Sequence, residues 1–180
     1  MTTVTWAIEE LPARGPLFDG AIRVYADAFA QPPYSDPDRG REVRSRLRSV
    51  HRSRPNFRGF IAKTPGGEVA GMCYGYHGEH GQWWHDMVRN ALTAEQARDW
   101  LSDSYELVEL AVSPAYQGRG IGRALIERLL EDCDEATCVL STRTDSQAHE
   151  LYRRMGFEVI TIMAFAPQGA PFYVMGKVLR

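Results

Sequence analysis

The residues best suited to chemistry lie together in one stretch, Ser113-Pro114-Ala115-Tyr116-Gln117-Gly118-Arg119-Gly120-Ile121-Gly122-Arg123. Three glycines at every second position stand directly after a strand-like run and directly before a helical one. Such a turn lets bare backbone approach a ligand and aims free N–H groups at it. An anion suits this turn, drawn by the positive end of the helix dipole and by Arg119 and Arg123. Spacing narrows the choice. The dinucleotide fingerprint G-x-G-x-x-G requires glycine at 123, where arginine stands, and a P-loop requires Lys and Ser/Thr after its last glycine. Neither is met. The plain alternative is a turn that only lets a helix pack tightly on its strand, which leaves Gln117 and the flanking arginines unexplained.

Gln117-Gly118-Arg119-Gly120-Ile121-Gly122 resembles the Q/R-x-x-G-x-G/A acetyl-CoA signature of the GCN5-related N-acetyltransferase (GNAT) superfamily, and Leu110-Ala111-Val112-Ser113-Pro114 is similar to that family's approach strand. Ala148-x-x-Leu151-Tyr152-x-x-x-Gly156-Phe157 is similar to its second motif, so the specific match covers residues 105–157. The resemblance implies an α/β fold: a GNAT-like mixed central sheet of about seven strands with a splayed parallel pair, flanked by about four helices plus an inserted helix. It implies acetyl-CoA as acyl donor in the V between strands 105–113 and 137–142. The pyrophosphate would rest on the backbone N–H groups of Gly118, Arg119, Gly120, Ile121 and Gly122, between Gln117 and Arg123. The pantetheine arm would pair with backbone at Leu110, Ala111 and Val112 like an added strand.

In this family an amine attacks the thioester directly. A lysine-like amine with a pKa of about 10.4 is neutral in only about one molecule per few thousand at pH 7, so a base helps. The departing thiolate wants a proton. Tyr152 matches the position where the family often places that acid, the alternative being a tyrosine packed against cofactor or core. For the base, Glu106 and Glu109 lie on the strand before the turn, on opposite faces if the strand is regular. Glu106, eleven residues before Gln117, has the spacing of the catalytic glutamate in histone-acetylating relatives and is preferred. Glu109 stays open, and either needs a raised pKa to be an efficient base. One departure matters: Asp145 stands where the second motif commonly has Asn. It can cap the following helix but cannot donate an amide.

Other constellations are weaker. His77, Glu79, His80 and His85 lie in a loop without fixed helical spacing, so no metal is expected. Trp83 and Trp84 read as a wall of the acceptor pocket, with faces suited to a cationic amine; core packing or contact with a second copy, as in a homodimer, is the alternative. Tyr34 joins that pocket on family layout only. Residues 38–58 carry eight arginines against Asp38 and Glu42, a charge of +6. That reads first as a solvated helix face, then as a lure for an acidic acceptor or phosphate. Cys73 and Cys138 sit in apolar strand patterns and Cys133 among acids, so none reads as an activated nucleophile.

The elements that position these residues follow from periodicity. Thr5 to Glu9 reads as a strand. Ile22, Tyr25, Ala26 and Phe29 mark a helix ending before Pro32 and Pro33, and Val43, Leu47 and Val50 mark a second, capped by Asp38. Residues 60–63 and 68–76 read as a hairpin around Thr64-Pro65-Gly66-Gly67, and residues 77–104 as irregular through Trp83 to Asp86, then helical over 93–101. Strands at 105–113, 137–142, 157–165 and 172–179 alternate with helices at 121–131 and 146–155, giving a mixed sheet with a parallel pair.

With 180 residues, 44% of them apolar, 24% charged and a formal charge of −2, the chain reads as one domain, neither disordered nor a whole-surface binder of nucleic acid or membrane. No apolar run is long enough to span a bilayer, the N-terminus lacks a secretion signal, and the odd cysteine set makes a reducing cytoplasm the default. The expectation is a cytoplasmic, acetyl-CoA-dependent N-acetyltransferase acting on a primary amine of a small molecule or peptide in a ternary complex. The alternative is a non-catalytic acyl-CoA sensor on the same fold.

Overall fold

A computed structural model describes residues 5–180. β1 (Ala7–Glu10) leads into α1 (Pro16–Ala30), whose opening proline sits where a missing N–H costs nothing. Phe18, Ala21, Ile22 and Tyr25 recur at helical spacing and are buried, and the helix stops short of Pro32. α2 (Arg39–Ser49) turns Gly40, Val43 and Leu47 inward. The expected cap is absent. Asp38 has helical φ/ψ instead of the extended conformation a capping side chain needs, and its carboxylate takes Arg41.

β2 (Arg58–Lys63) and β3 (Val69–His77) form the expected hairpin. The following segment differs from expectation. Trp83 to Asp86 is helical, opening α3 (Trp83–Ala91), because Trp84, Val88 and Leu92 at spacings of four share one apolar cluster. α4 (Ala94–Leu101) starts with a capping box: Gln96 N–H donates to Thr93 Oγ1 at 3.1 Å, and Thr93 N–H to Gln96 Oε1 at 3.0 Å. Then come β4 (Ser104–Val112), α5 (Ile121–Leu130), β5 (Thr137–Arg143), α6 (Ala148–Arg154), β6 (Glu158–Met163) and β7 (Phe172–Val178). Gln147, not Asp145, occupies the N-cap of α6; Asp145 accepts two hydrogen bonds from Arg143, at 2.9 and 2.8 Å.

The strands form one seven-stranded sheet in the order β1-β2-β3-β4-β5-β7-β6. Its parallel pair is the predicted one. The β4–β5 register covers only Ser104↔Thr137 to Glu106↔Val139, although β4 runs on to Val112 and β5 to Arg143. β7 runs antiparallel to both its neighbours, β5 and β6. The mixed sheet and the parallel pair are as expected, with α3 as an additional helix. No helix among the described residues is long and apolar enough to cross a membrane.

The chain divides into two compact units. The first takes the chain up to Tyr76 together with Val108–Cys133. Its core gathers Phe18, Ile22, Val43, Leu47, Ile61 and Met72 from α1, α2, β2 and β3. The second takes His77–Leu107 and Asp134–Arg180, with Val88, Leu101, Val139 and Val174 buried among Trp84, Trp100 and Ile160.

Candidate active site

In the first unit the end of β4 is tied to β3 by the Ser113 N–H, which donates to the Ala70 carbonyl at 2.8 Å. A short turn over Pro114–Tyr116 follows, held by the Tyr116 hydroxyl, which donates to Glu68 at 2.8 Å. The Gln117 amide donates back to the Val112 carbonyl at 3.3 Å. Gly118 and Gly120 then take φ of +76° and +81°, the left-handed region that disfavours any side chain. A Cβ at either would meet nothing within 4 Å, so these glycines serve backbone conformation and open approach, not crowding. Residues 117–120 are exposed. Gly120 is the N-cap of α5 and offers no side-chain cap, so the first N–H groups of the helix face outward from its end. Arg119 lies over the Tyr116 ring and Arg123 pairs with Glu127 at 3.0 Å. An exposed turn of bare backbone at a helix N-terminus fits the pyrophosphate of acetyl-CoA.

What seats α5 here was not among the residues singled out from sequence. A Cβ on Gly71 of β3 would lie 2.9 Å from Ile121 Cγ2 and 3.2 Å from the Ala111 carbonyl oxygen. Only glycine lets β3, β4 and the first turn of α5 approach this closely. Nearby Cys73 is fully buried, and burial pushes its thiol up to about 12, the opposite of an activated nucleophile.

Glu106 and Glu109 are both buried on β4. Glu109 belongs to a cluster in the first unit that spacing alone does not reveal. Burial raises its carboxyl above the ordinary value, against the opposing pull of Arg39 and a hydrogen bond with Tyr25. Arg39 Nε donates to the Tyr25 hydroxyl at 2.8 Å, and its guanidinium lies 4.3 Å from the Phe29 ring centroid and 4.9 Å from that of Tyr34. Tyr34, predicted for the acceptor pocket, therefore sits against Arg39 and edge-on to Phe29. The four polar members come from positions 25, 34, 39 and 109. Only the fold assembles them.

In the second unit, Tyr152 lies buried on α6, edge-on to Phe157. Trp83 is 62% exposed and tilts against Phe165, whereas Trp84 donates its indole N–H to Ser141 Oγ at 2.9 Å and joins the core. His77 faces Glu135 at 3.5 Å, His80 and His85 share Asp86 at 3.1 and 3.7 Å, and His85 Nε2 lies 3.3 Å from the Leu101 carbonyl. Among the described residues no group of three or more His, Cys, Asp or Glu is placed to hold a metal ion.

The sequence model of the acetyltransferase (GNAT) family matches residues 21–157. The GCN5-like protein acetyltransferase Rv2170 of Mycobacterium tuberculosis is 36% identical over 128 residues, 66% of this chain and 62% of that protein. The N-alpha-acetyltransferase RimI of the same organism is 40% identical over 76 residues, 41% of this chain and 48% of that protein. The chain thus matches less than two thirds of the length of either relative. Among solved structures, a putative acetyltransferase of the GNAT family from Desulfovibrio desulfuricans superposes with a TM-score of 0.69 at 15% identity, over 98% of this chain and all of that one. The exposed glycine turn, the parallel strand pair and these likenesses agree: the chain belongs to the GNAT acetyltransferase family.

Proposed function

We propose that the chain is an acetyl-CoA-dependent N-acetyltransferase that acylates a primary amine by direct attack in a ternary complex, acting in the cytoplasm. The observation that carries this reading is the exposed turn at 117–120, with its two left-handed glycines opening α5. Acetyl-CoA supplies the acetyl group as an activated thioester. The backbone N–H groups of Gly118 to Gly122 hold its pyrophosphate, and Leu110, Ala111 and Val112 offer strand backbone to its pantetheine arm. Glu106 takes the proton of the amine and Tyr152 protonates the departing thiolate. Glu109, already engaged with Tyr25 and Arg39, is the second candidate for the base. Of the three aromatic residues assigned to the acceptor, Trp83 is the most exposed. The activities named for the two relatives, protein acetyltransferase and N-alpha-acetyltransferase, favour a lysine side chain or peptide N-terminus as acceptor.

The test has two arms. Acetyl-CoA at about 100 times its Kd adds about 2.7 kcal/mol of stability, so a thermal melt with acetyl-CoA shifts upward; no shift at saturation overturns the reading. CoA release is then followed across N-terminal peptides, lysine peptides, polyamines and aminoglycosides. Release with a peptide amine supports the enzyme. A melt shift without release across a broad amine panel favours the non-catalytic sensor.

A further inference from the structure

At the other end of α5 from the glycine turn, the first unit contains a cavity of about 590 Å³, inside the range of roughly 300–1,000 Å³ typical of small-molecule sites. Four guanidinium groups line it, Arg52, Arg54, Arg58 and Arg128, against the carboxylates of Glu10 and Asp132. Two of the four have local duties. Arg58 donates to the carbonyls of Leu129 and, at 3.2 Å, Arg128, and so closes the negative end of α5. Arg128 pairs with Glu131 at 3.3 Å and reaches Asp132 at 3.9 Å.

Arg52 and Arg54 differ. Among the described residues neither has a carboxylate within 4 Å. Both are nevertheless fixed in place. Arg52 Nη2 donates to the Leu11 carbonyl at 2.8 Å and its guanidinium lies 5.2 Å from the Phe57 ring centroid. Arg54 Nη1 donates to the Tyr76 hydroxyl, with its guanidinium 4.7 Å from that ring's centroid. Arg52 Nη1 is shielded from water and has no hydrogen-bond partner. A planar fork already oriented by an aromatic face, as Arg54 is, loses little freedom when it meets an anion. Neighbouring His51 adds no charge at neutral pH: burial, then Arg54 and Arg46, lower its pKa to about 4. The lining groups leave a surplus of two positive charges, and a phosphate monoester carries about −1.5 to −2 at pH 7.

We propose that this cavity binds a small phosphomonoester, with Arg54 as its donor and Arg52 supplying positive charge beside it, as a site separate from that of acetyl-CoA. The ten residues of α5 put roughly 15 Å between its two ends, so both sites can be filled at once.

Calorimetric titration of the full chain tests this, with inorganic phosphate and glycerol 3-phosphate as probes, acetate at matched ionic strength as control, and acetyl-CoA absent or saturating. The expected result is saturable binding of one phosphate per chain, unchanged by acetyl-CoA, absent with acetate, and weakened about tenfold or more by Arg52→Gln and by Arg54→Gln. Because Arg52 also ties down Leu11, Arg54→Gln carries the decision if circular dichroism shows Arg52→Gln unfolded. No saturable binding, equal binding of acetate, unaltered affinity in Arg54→Gln, or displacement of phosphate by acetyl-CoA each overturns the proposal, the last by moving the anion to the glycine turn.

Discussion

Glu106 and Glu109, three residues apart on β4, can be told apart by pH. Burial raises the Glu109 carboxyl above its ordinary 4.5 even with Arg39 nearby, so between that value and the higher folded-state one the folded protein keeps a proton that the unfolded chain has released. The contribution of this group to stability is complete below about pH 4.5 and is lost as pH rises through the higher folded-state value. Glu109→Gln, neutral at every pH, removes that decline; urea midpoints from pH 4.5 to 8 should show the variant gaining on the parent as pH rises, and a constant difference contradicts the assignment. Activity gives the other half. With Glu106 as base, Glu106→Gln lowers kcat about a hundredfold or more and removes the acidic limb of the pH profile, while Tyr152→Phe lowers kcat and alters the basic limb. Full turnover in Glu106→Gln alongside an inactive Glu109→Gln hands the base to Glu109. Both glutamates could be picked from the sequence because they precede the glycine turn on the same strand. The Tyr25 and Arg39 partners could not, since no spacing links positions 25, 39 and 109 before the fold does.

Among the elements, α5 matters most, because the proposed acetyl-CoA turn opens it and Arg128 near its far end lines the arginine cavity. Its existence was legible from the glycine turn and the apolar stripe at Ile121, Leu125, Ile126 and Leu129, all buried. Its seating was not. Gly71 is one glycine among 16 in the sequence, and only the positions of Ile121, Leu125 and Ala111 show that a methyl group has no room there. Gly71→Ala is expected to destabilise by about 1–3 kcal/mol, as overpacking of a tight contact does, and to weaken acetyl-CoA binding by shifting the start of α5. Urea melts and acetyl-CoA titration check this; unchanged values for both would show that the contact yields easily. The helical Trp83–Ala91 segment was hidden for a related reason. The polar, Gly-flanked run just before it reads as loop, while the burial of Trp84 and Val88 that stabilises the helix comes from Leu101, Trp100 and Ile160 farther along the chain. Asp38 and Asp145 show the limit of reading caps from residue type: each stands near a helix start, yet a neighbouring arginine claims its carboxylate.

For the molecule as a whole, a formal charge of −2 conceals +6 in residues 38–58 and −8 elsewhere. Part of that stretch keeps the solvated face, with Arg41, Arg46 and Arg48 exposed, while the half-buried Arg39, Arg44, Arg52 and Arg54 lie over the rings of Phe29, Phe18, Phe57 and Tyr76. Composition could register the excess charge but not its aromatic partners, which come from other elements. The division into two units bears on stability in a similar way. Neither unit is a continuous stretch of sequence; the chain passes from one to the other after Tyr76, Leu107 and Cys133, and β4 contributes Ser104–Leu107 to one and Val108–Val112 to the other. No single cut separates them, and unfolding either one must disrupt a strand that the other needs. The chain is therefore expected to melt in a single calorimetric transition whose van't Hoff and calorimetric enthalpies agree, and saturating acetyl-CoA should move that whole transition upward. Two resolved transitions, with acetyl-CoA shifting only one of them, would show instead that the glycine-turn unit holds its structure independently and that the chain is built as two cooperative bodies.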